Sequence, residues 1–145
     1  MPGYSHIMVA VDFSRGSASV VQKALELKQA FGTRISLIHV VEFVQMDISN
    51  DLIMPAEVEL EGQLVEIAER RLKQLARDNG IDEAGCYVTQ GSTRHEILRV
   101  TEENNVDLIV IGSHGRQGIQ LLLGSTANAV LHGAPCDVLA VRIKE

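Results

Sequence analysis

Five short apolar runs alternate along the chain with four segments of helical periodicity. The runs predict β-strands over residues 6–11, 34–41, 85–90, 107–112 and 137–143. The segments between them predict α-helices over residues 16–32, 57–79, 93–104 and 125–132. This alternation is typical of an α/β fold, an open five-stranded parallel sheet with helices on both faces. The strand order 3-2-1-4-5 would place a ligand where the order reverses, between the first and fourth strands.

The length, net charge and apolar runs of the chain limit the classes of protein to which it can belong. The 145 residues predict a single domain over 1–145, without internal repeats. The net charge of −6 argues against a nucleic-acid surface, because phosphate backbones are bound by Lys and Arg. No apolar run approaches the about 20 residues of a membrane span, and the first residues lack a signal-peptide pattern, so we expect a cytoplasmic protein. Cys86 and Cys136 form no CxxC motif and are expected to be buried free thiols.

Local signals set the expected ends and faces of the helices. Thr93 to Glu96 is predicted to be a capping box, and residues 42–56 are predicted to be irregular. The helix 57–79 is acidic first and basic last, which complements the helix dipole and favours stability. Apolar residues recur in it at helical spacing and predict a buried face, formed by Leu60, Leu64, Ile67, Ala68, Leu72, Leu75 and Ala76.

The stretch from Gly112 to Thr126 is a glycine-rich turn between a strand and a helix. Its spacing is G-x2-G-x8-G-S-T, and it contains no lysine, so it is not a Walker A loop. Glycines let backbone N–H groups approach a phosphate, the following helix N-terminus favours an anion, and Arg116 could add a cation. The alternative from the residues alone is a tight turn in which Ser125 only caps the helix.

Four longer segments together resemble one known family. They are HIMVAVDFS, SLIHVVE, DLIVIGSHGR and LLLGSTANAVLHGAPCDVLAVR, and the likeness covers essentially the whole chain. The chain resembles the universal stress protein family, in particular its single-domain UspA-like members. The resemblance implies an adenine nucleotide alpha hydrolase-like fold, homodimers and, in one branch, binding of ATP with Mg²⁺.

The resemblance also implies roles for particular positions. Asp12 would lie on the ribose and metal side and help to hold Mg²⁺, and the backbone of Val40 would contact adenine. Ala10 and Ile111 would line the adenine pocket. The residues expected around the phosphates of ATP, AMP or ADP are Gly112, His114, Gly115, Arg116, Gly124, Ser125 and Thr126.

For several of these residues, a purely structural role is the alternative. Asp12 or Ser14 could cap the first helix, Ala10 and Ile111 could be ordinary core residues, and His114 could be an exposed loop histidine. The chain also departs from the family's ATP motif, because eight residues separate Gly115 from Gly124 where the family usually has nine.

Three functions follow from this pattern. The first is an ATP-binding regulatory protein of the stress response. The second is a nucleotide-independent dimeric interaction protein on the same fold. The third is a slow ATPase or adenylate-transferring relative, for which only Asp12 and His114 can be nominated. The resemblance further implies a homodimer through residues 137–143, a tetramer as a larger assembly, and a protein partner such as a transporter.

Overall fold

A computed structural model describes residues 3–42, 55–113 and 124–143 of the chain. Within these ranges the predicted alternation is confirmed. The elements are β1 His6–Ala10, α1 Ser17–Phe31, β2 Arg34–Val41, α2 Pro55–Asp78, β3 Cys86–Gln90, α3 Thr93–Glu103, β4 Leu108–Gly112, α4 Ser125–Gly133 and β5 Asp137–Val141. A single 3₁₀ turn, Glu83–Gly85, leads into β3.

The sheet has the predicted order β3-β2-β1-β4-β5, and every described strand pair is parallel. Helices cover both faces because side chains alternate along each strand. Ile7 and Val9 belong to the core under α1 and α2. Met8 belongs to the opposite core, under α3 and α4. β1 is therefore buried on both faces, and its carboxyl end meets that of β4 at the reversal point.

Two local expectations need correction. α3 is capped by Ser92, whose hydroxyl accepts from the His95 N–H at 3.5 Å, so Thr93 is the first helical residue and not the cap. Ser92 takes this role because its backbone is extended, with φ −72° and ψ 126°. The stretch predicted to be irregular also ends earlier, since α2 already begins at Pro55. Residues 43–54 of that stretch lie outside the described ranges.

α2 buries less of its apolar face than its periodicity predicts. Ala68, Leu72 and Ala76 are buried, whereas Leu60, Leu64 and Ile67 are 55%, 41% and 43% exposed. The 24 residues of α2 span about 36 Å, but the five residues of β3 span only about 17 Å. The helix returns antiparallel to the strands, so its first half extends past their carboxyl ends.

Cys86 and Cys136 are free, as expected, but they are half-buried where full burial was expected. Burial raises the pKa of both thiols, which favours the unreactive protonated form. No helix among the described residues is long and apolar enough to cross a membrane.

Candidate functional site

A cavity of about 610 Å³ lies where the strand order reverses. Its floor is formed by the carboxyl ends of β1, β2 and β4, and its sides by the loop after β1 and the start of α4. This is where an open α/β sheet binds its ligand. The volume is that of a pocket for a small organic molecule.

The described members of the predicted site converge on this cavity. Those that line it are Ala10, Asp12, Val40, Ile111, Gly112, Gly124, Ser125 and Thr126. His114, Gly115 and Arg116 lie outside the described residues. Residues more than 110 positions apart in sequence are therefore brought to one place by the sheet.

One wall of the cavity is apolar. Ile38 and Val40 from β2, Ile97 from α3 and Ile111 from β4 line it, and all four belong to the core under α3 and α4. Ala10 packs against the same core. A flat apolar group can therefore lie on this wall without burying an unpaired polar atom of the protein.

The loop after β1 supplies a fixed carboxylate. Asp12 Oδ1 accepts hydrogen bonds from the Ser14 N–H at 2.9 Å and from the Ser17 hydroxyl at 3.2 Å. The residue that caps α1 is Gly16, without a side-chain hydrogen bond. The alternative in which Asp12 or Ser14 caps this helix is therefore wrong, and the two bonds instead hold Asp12 at the cavity.

Phe13 fixes the path of this loop. Its backbone has φ 58°, a left-handed conformation that costs a non-glycine residue about 1–2 kcal/mol. The ring is held between the His39 ring, 4.4 Å away, and the Arg71 guanidinium, 4.2 Å away. His39 Nδ1 donates to the Val11 carbonyl at 2.7 Å, since a carbonyl can only accept. These contacts offset the backbone strain and join α2 to the loop that carries Asp12.

The start of α4 presents backbone donors to the cavity. Gly124 is the N-cap and makes no side-chain cap, so the alternative in which Ser125 only caps the helix is wrong. The Asn128 N–H bonds to the Gly124 carbonyl at 2.9 Å. The N–H groups of the three residues before Asn128 precede this first helical bond, which leaves them oriented as an anion site.

The chain just before α4 is anchored to the sheet. The Ser113 N–H donates to the Val141 carbonyl at 2.8 Å, and the Gly124 N–H donates to the Ser113 carbonyl at 2.5 Å. The Ser113 hydroxyl accepts from the Ile143 N–H at 3.2 Å. A Cβ on Gly112 would come within 3.2 Å of Ile143 Cδ1, so glycine allows this close packing. A direct hydrogen bond therefore joins Ser113 and Gly124, the described residues on either side of the loop.

The sequence analysis missed part of the lining. Glu42 and Thr93 also face the cavity, and the Glu42 carboxylate accepts from the Thr93 N–H at 2.9 Å and from its hydroxyl at 2.5 Å. These two hydrogen bonds lower the pKa of Glu42. The position of Glu42 in the sequence could have indicated that it lines the cavity, because Glu42 follows β2 as Asp12 follows β1.

No ready-made metal centre occurs in the described part of the chain. Across residues 3–42, 55–113 and 124–143, no three His, Cys, Asp or Glu side chains lie close enough to hold an ion. Among the described residues, the carboxylates that line the cavity are those of Asp12 and Glu42.

Comparisons of sequence agree on one family. Residues 3–142 match the model of the universal stress protein family. The chain is 43% identical over 145 residues to universal stress protein A homolog 2 of Coxiella burnetii, covering 99% of both chains. It is 35% identical over 142 residues to homolog 1 of the same organism, covering 98% of this chain and 99% of the relative.

Comparisons of structure agree on the fold. MJ0577 of Methanocaldococcus jannaschii superposes with a TM-score of 0.81 at 24% identity, covering 98% of each chain. UspA of Lactobacillus plantarum gives 0.77 at 22%, covering 98% of this chain and all of the other. A universal stress protein in complex with cAMP gives 0.70 at 21%, covering 98% and 99%. This chain is a member of the universal stress protein family, as its sequence shows.

Proposed function

We propose that this chain binds ATP with Mg²⁺ in the cavity and acts as a nucleotide-sensing regulatory protein of the stress response. The observation that carries the proposal is the layout of the cavity. An apolar wall, a fixed carboxylate and a helix N-terminus line a single space of about 610 Å³. Adenine, ribose with magnesium, and phosphate require these three environments respectively.

The apolar wall would take the base. Ala10, Val40 and Ile111 line it. The backbone of β2 at Val40 lies near the carboxyl end of the strand, beyond the last residue that pairs with β1, where it can pair with the polar edge of adenine. Base recognition by backbone needs no special side chain, which is why Val40 is adequate. Thr93 and Glu42 stand beside this wall and would contact the sugar.

The start of α4 would take the phosphates. Backbone N–H groups at a helix N-terminus bind anions through hydrogen bonds and the helix dipole. The hydroxyls of Ser125 and Thr126 face the same space. Gly115, His114 and Arg116 are proposed to complete the phosphate cradle on the grounds of the family resemblance.

Magnesium would be held mainly by phosphate oxygens and water, with Asp12 as the protein's contribution. Mg²⁺ keeps several waters and commonly takes only one or two carboxylates beside substrate phosphates. A carboxylate held in place by two hydrogen bonds, as that of Asp12 is, fits that need.

The base-binding wall can be tested by filling it. Ala10→Leu should lower ATP affinity at least about tenfold, because the larger side chain would occupy the place of the base. Ala30→Leu makes the same change at an exposed position of α1 and should leave affinity unchanged. Equal affinities for the two variants would show that the base does not bind at this wall. Including cAMP as a competitor would show whether the site accepts adenine nucleotides without a triphosphate.

Homodimerisation through β5 is part of the same proposal. β5 is an edge strand, and edge strands are commonly paired or covered. Beside it lies a second, shallow cavity of about 640 Å³, whose lining includes Tyr4, Phe31 and Leu131. Phe31 and Leu131 are 44% and 47% exposed. The surface beside β5 is therefore apolar, and β5 itself has no neighbouring strand on its outer side.

A nucleotide-independent interaction protein is the second candidate. The eight residues between Gly115 and Gly124 favour it, because a shorter loop would change how the glycines approach a phosphate. Under that function the β5 face would still dimerise, while ATP would give no signal in a binding assay.

A further inference from the structure

Phe13 has an unusual backbone conformation directly beside the cavity. Its φ is 58°, in the left-handed region, and the residue before it is Asp12, which lines the cavity. Among the described non-glycine residues, only Phe13 and Asn105 have a positive φ. A bulky residue in this region is strained, so it keeps the conformation only where surrounding contacts impose it. The contacts of Phe13 therefore show what fixes this loop.

The turn at Phe13 allows the Asp12 carboxylate to make its hydrogen bonds. Asp12 Oδ1 accepts from the Ser14 N–H at 2.9 Å and from the Ser17 hydroxyl at 3.2 Å. The Ser14 N–H follows Phe13 in the chain, so its direction depends on the backbone angles of Phe13. A negative φ at Phe13 would turn this N–H away from Asp12 and release the carboxylate from its place at the cavity.

Side chains of two other elements contact the Phe13 ring. The His39 ring of β2 lies 4.4 Å away between centroids, at an interplanar angle of 39°. The Arg71 guanidinium of α2 lies 4.2 Å from the ring centroid. His39 is fixed in turn, because its Nδ1 donates to the Val11 carbonyl at 2.7 Å. The position of the ring is therefore determined by β2 and α2 as well as by its own loop.

Arg71 is the contact that comes from α2. Its guanidinium lies over the ring, where a cation is attracted by the negative face of the aromatic system. The salt bridges of the described residues do not include Arg71. The next residue, Leu72, is fully buried and fixes this turn of α2 on the sheet. Arg71 therefore reaches the ring from a backbone that is itself held in place.

We infer that Arg71 and Phe13 are positioning residues for the nucleotide, which hold Asp12 at the cavity where it would meet Mg²⁺. The inference rests on the proposed function for its ligand, whereas the hold on Asp12 is a property of the ligand-free protein. Arg71 acts on the ring, the ring on the turn, and the turn on the carboxylate. Mg²⁺ demands near-ideal ligand geometry, so a released Asp12 would contribute little to its binding.

Glycine at position 13 separates the hold on the turn from the loss of the ring. Phe13→Ala removes the ring and leaves a residue that is strained at φ 58°, whereas Phe13→Gly removes the ring and also the strain. Phe13→Ala should lower affinity for ATP with Mg²⁺ about tenfold, and Phe13→Gly should stay within about threefold of the wild type. A glycine variant that binds no better than the alanine variant would overturn the inference, because the ring would then serve only the core.

Arg71→Gln tests the contact from α2. It keeps helix propensity, and affinity for ATP with Mg²⁺ should fall about threefold because one of the two ring contacts is lost. Arg70→Gln removes the same charge from the preceding exposed position and should leave affinity unchanged. In the Phe13→Gly background, Arg71→Gln should have no effect, since the turn no longer needs support. Equal affinities for the Arg71 and Arg70 variants would contradict the role of Arg71.

Amide hydrogen exchange at Ser14 tests the same hold without nucleotide. The Ser14 N–H donates to Asp12, so its protection reports whether the carboxylate is in place. Protection should fall at least about threefold in Phe13→Ala and in Arg71→Gln, and should keep the wild-type value in Phe13→Gly. Unchanged protection in all three variants would overturn the inference even if their affinities differed.

Titration in EDTA and the wild-type control separate the two proposals. Because Asp12 would act through Mg²⁺, Arg71→Gln should not lower affinity for ATP in EDTA, and a loss of equal size there would contradict the inference. Absence of ATP binding by the wild type would overturn the proposed function, while the protection of Ser14 would still decide whether Arg71 and Phe13 hold Asp12. Wild-type affinity and protection in every variant would overturn the inference alone.

Discussion

At the scale of single residues, His6 is a buried titratable group at the end of the sheet opposite the cavity. It is 4% exposed, with Nε2 2.7 Å from Ser36 Oγ and Nδ1 3.0 Å from Arg34 Nη2. A guanidinium only donates, so Nδ1 is the acceptor and Nε2–H donates to Ser36. Burial lowers the pKa of His6 most, and the Arg34 charge lowers it further. The Asn104 carbonyl, 3.2 Å from Nδ1, and the Asp107 charge raise the pKa because both favour the protonated ring.

The protein should lose stability in mild acid because of His6. The folded state holds this histidine neutral, so the unfolded state binds the proton first as the pH falls below about 6.5. The free energy of unfolding should then fall by up to about 1.4 kcal/mol per pH unit until the folded pKa is reached. Urea unfolding from pH 7.5 to 5 measures this slope.

His6→Gln keeps a hydrogen-bonding side chain but cannot titrate, so its curve should be flat over the same window. The carboxylates with lowered pKa, Glu42, Glu96 and Asp107, lose their contribution only at more acidic pH and do not confuse the comparison. Parallel curves for wild type and variant would show that His6 is not the group responsible.

Asp12 gives the sharpest test of the proposed metal role. Asp12→Asn keeps Oδ1 as an acceptor for Ser14 and Ser17 and removes only the charge. Affinity for ATP with Mg²⁺ should fall about tenfold. Affinity for ATP in EDTA should stay the same or rise, since a carboxylate repels the triphosphate. Equal losses with and without Mg²⁺ would assign Asp12 to the sugar or the fold instead.

At the scale of elements, α2 shows what a sequence pattern can predict about a helix and what it cannot. Periodicity predicted the helix and the burial of Leu72, but it also placed Leu60 and Leu64 on the buried face. A periodic pattern specifies which side of a helix is apolar, whereas burial also depends on how far the neighbouring strands extend. α3 is a similar case, because Ser92 and Thr93 are both good caps and only the backbone conformation decides between them.

Paired truncations measure this difference along α2. Leu72→Ala should cost about 2–5 kcal/mol of unfolding free energy, because Leu72 is fully buried. Leu64→Ala removes the same atoms from a side chain that is 41% exposed and should cost less than about 1 kcal/mol. Both are compared by urea unfolding at low micromolar concentration. A loss for Leu64→Ala as large as that for Leu72→Ala would place Leu64 in the core.

At the scale of the whole molecule, the alternation of elements predicted an open parallel sheet, and the order 3-2-1-4-5 expected for it predicted the location of the cavity. Asp12 and Gly112 could be placed together before any contact was known, because the order 3-2-1-4-5 makes β1 and β4 neighbours. The pairing of Glu42 with Thr93 could not be predicted in this way. It depends on the path of the chain from β3 into α3, which no spacing records.

The β5 edge should hold two copies together. Sedimentation at low micromolar concentration should give twice 15.8 kDa for the wild type. Ala140→Lys places a charge at an exposed position of this edge strand and should give a monomer. Ala30→Lys adds the same charge on α1 as a control. A wild-type mass equal to that of one chain would contradict dimerisation through β5.

The measurement that tests the central claim most directly is calorimetric titration of nucleotide-stripped protein with ATP and Mg²⁺, with GTP as the comparison. The account predicts saturable micromolar binding of ATP at one site per chain and weaker binding of GTP. That result would mean that the eight residues between Gly115 and Gly124 still allow a phosphate cradle. Absence of heat and of competition at millimolar ATP would contradict nucleotide binding and favour the interaction protein.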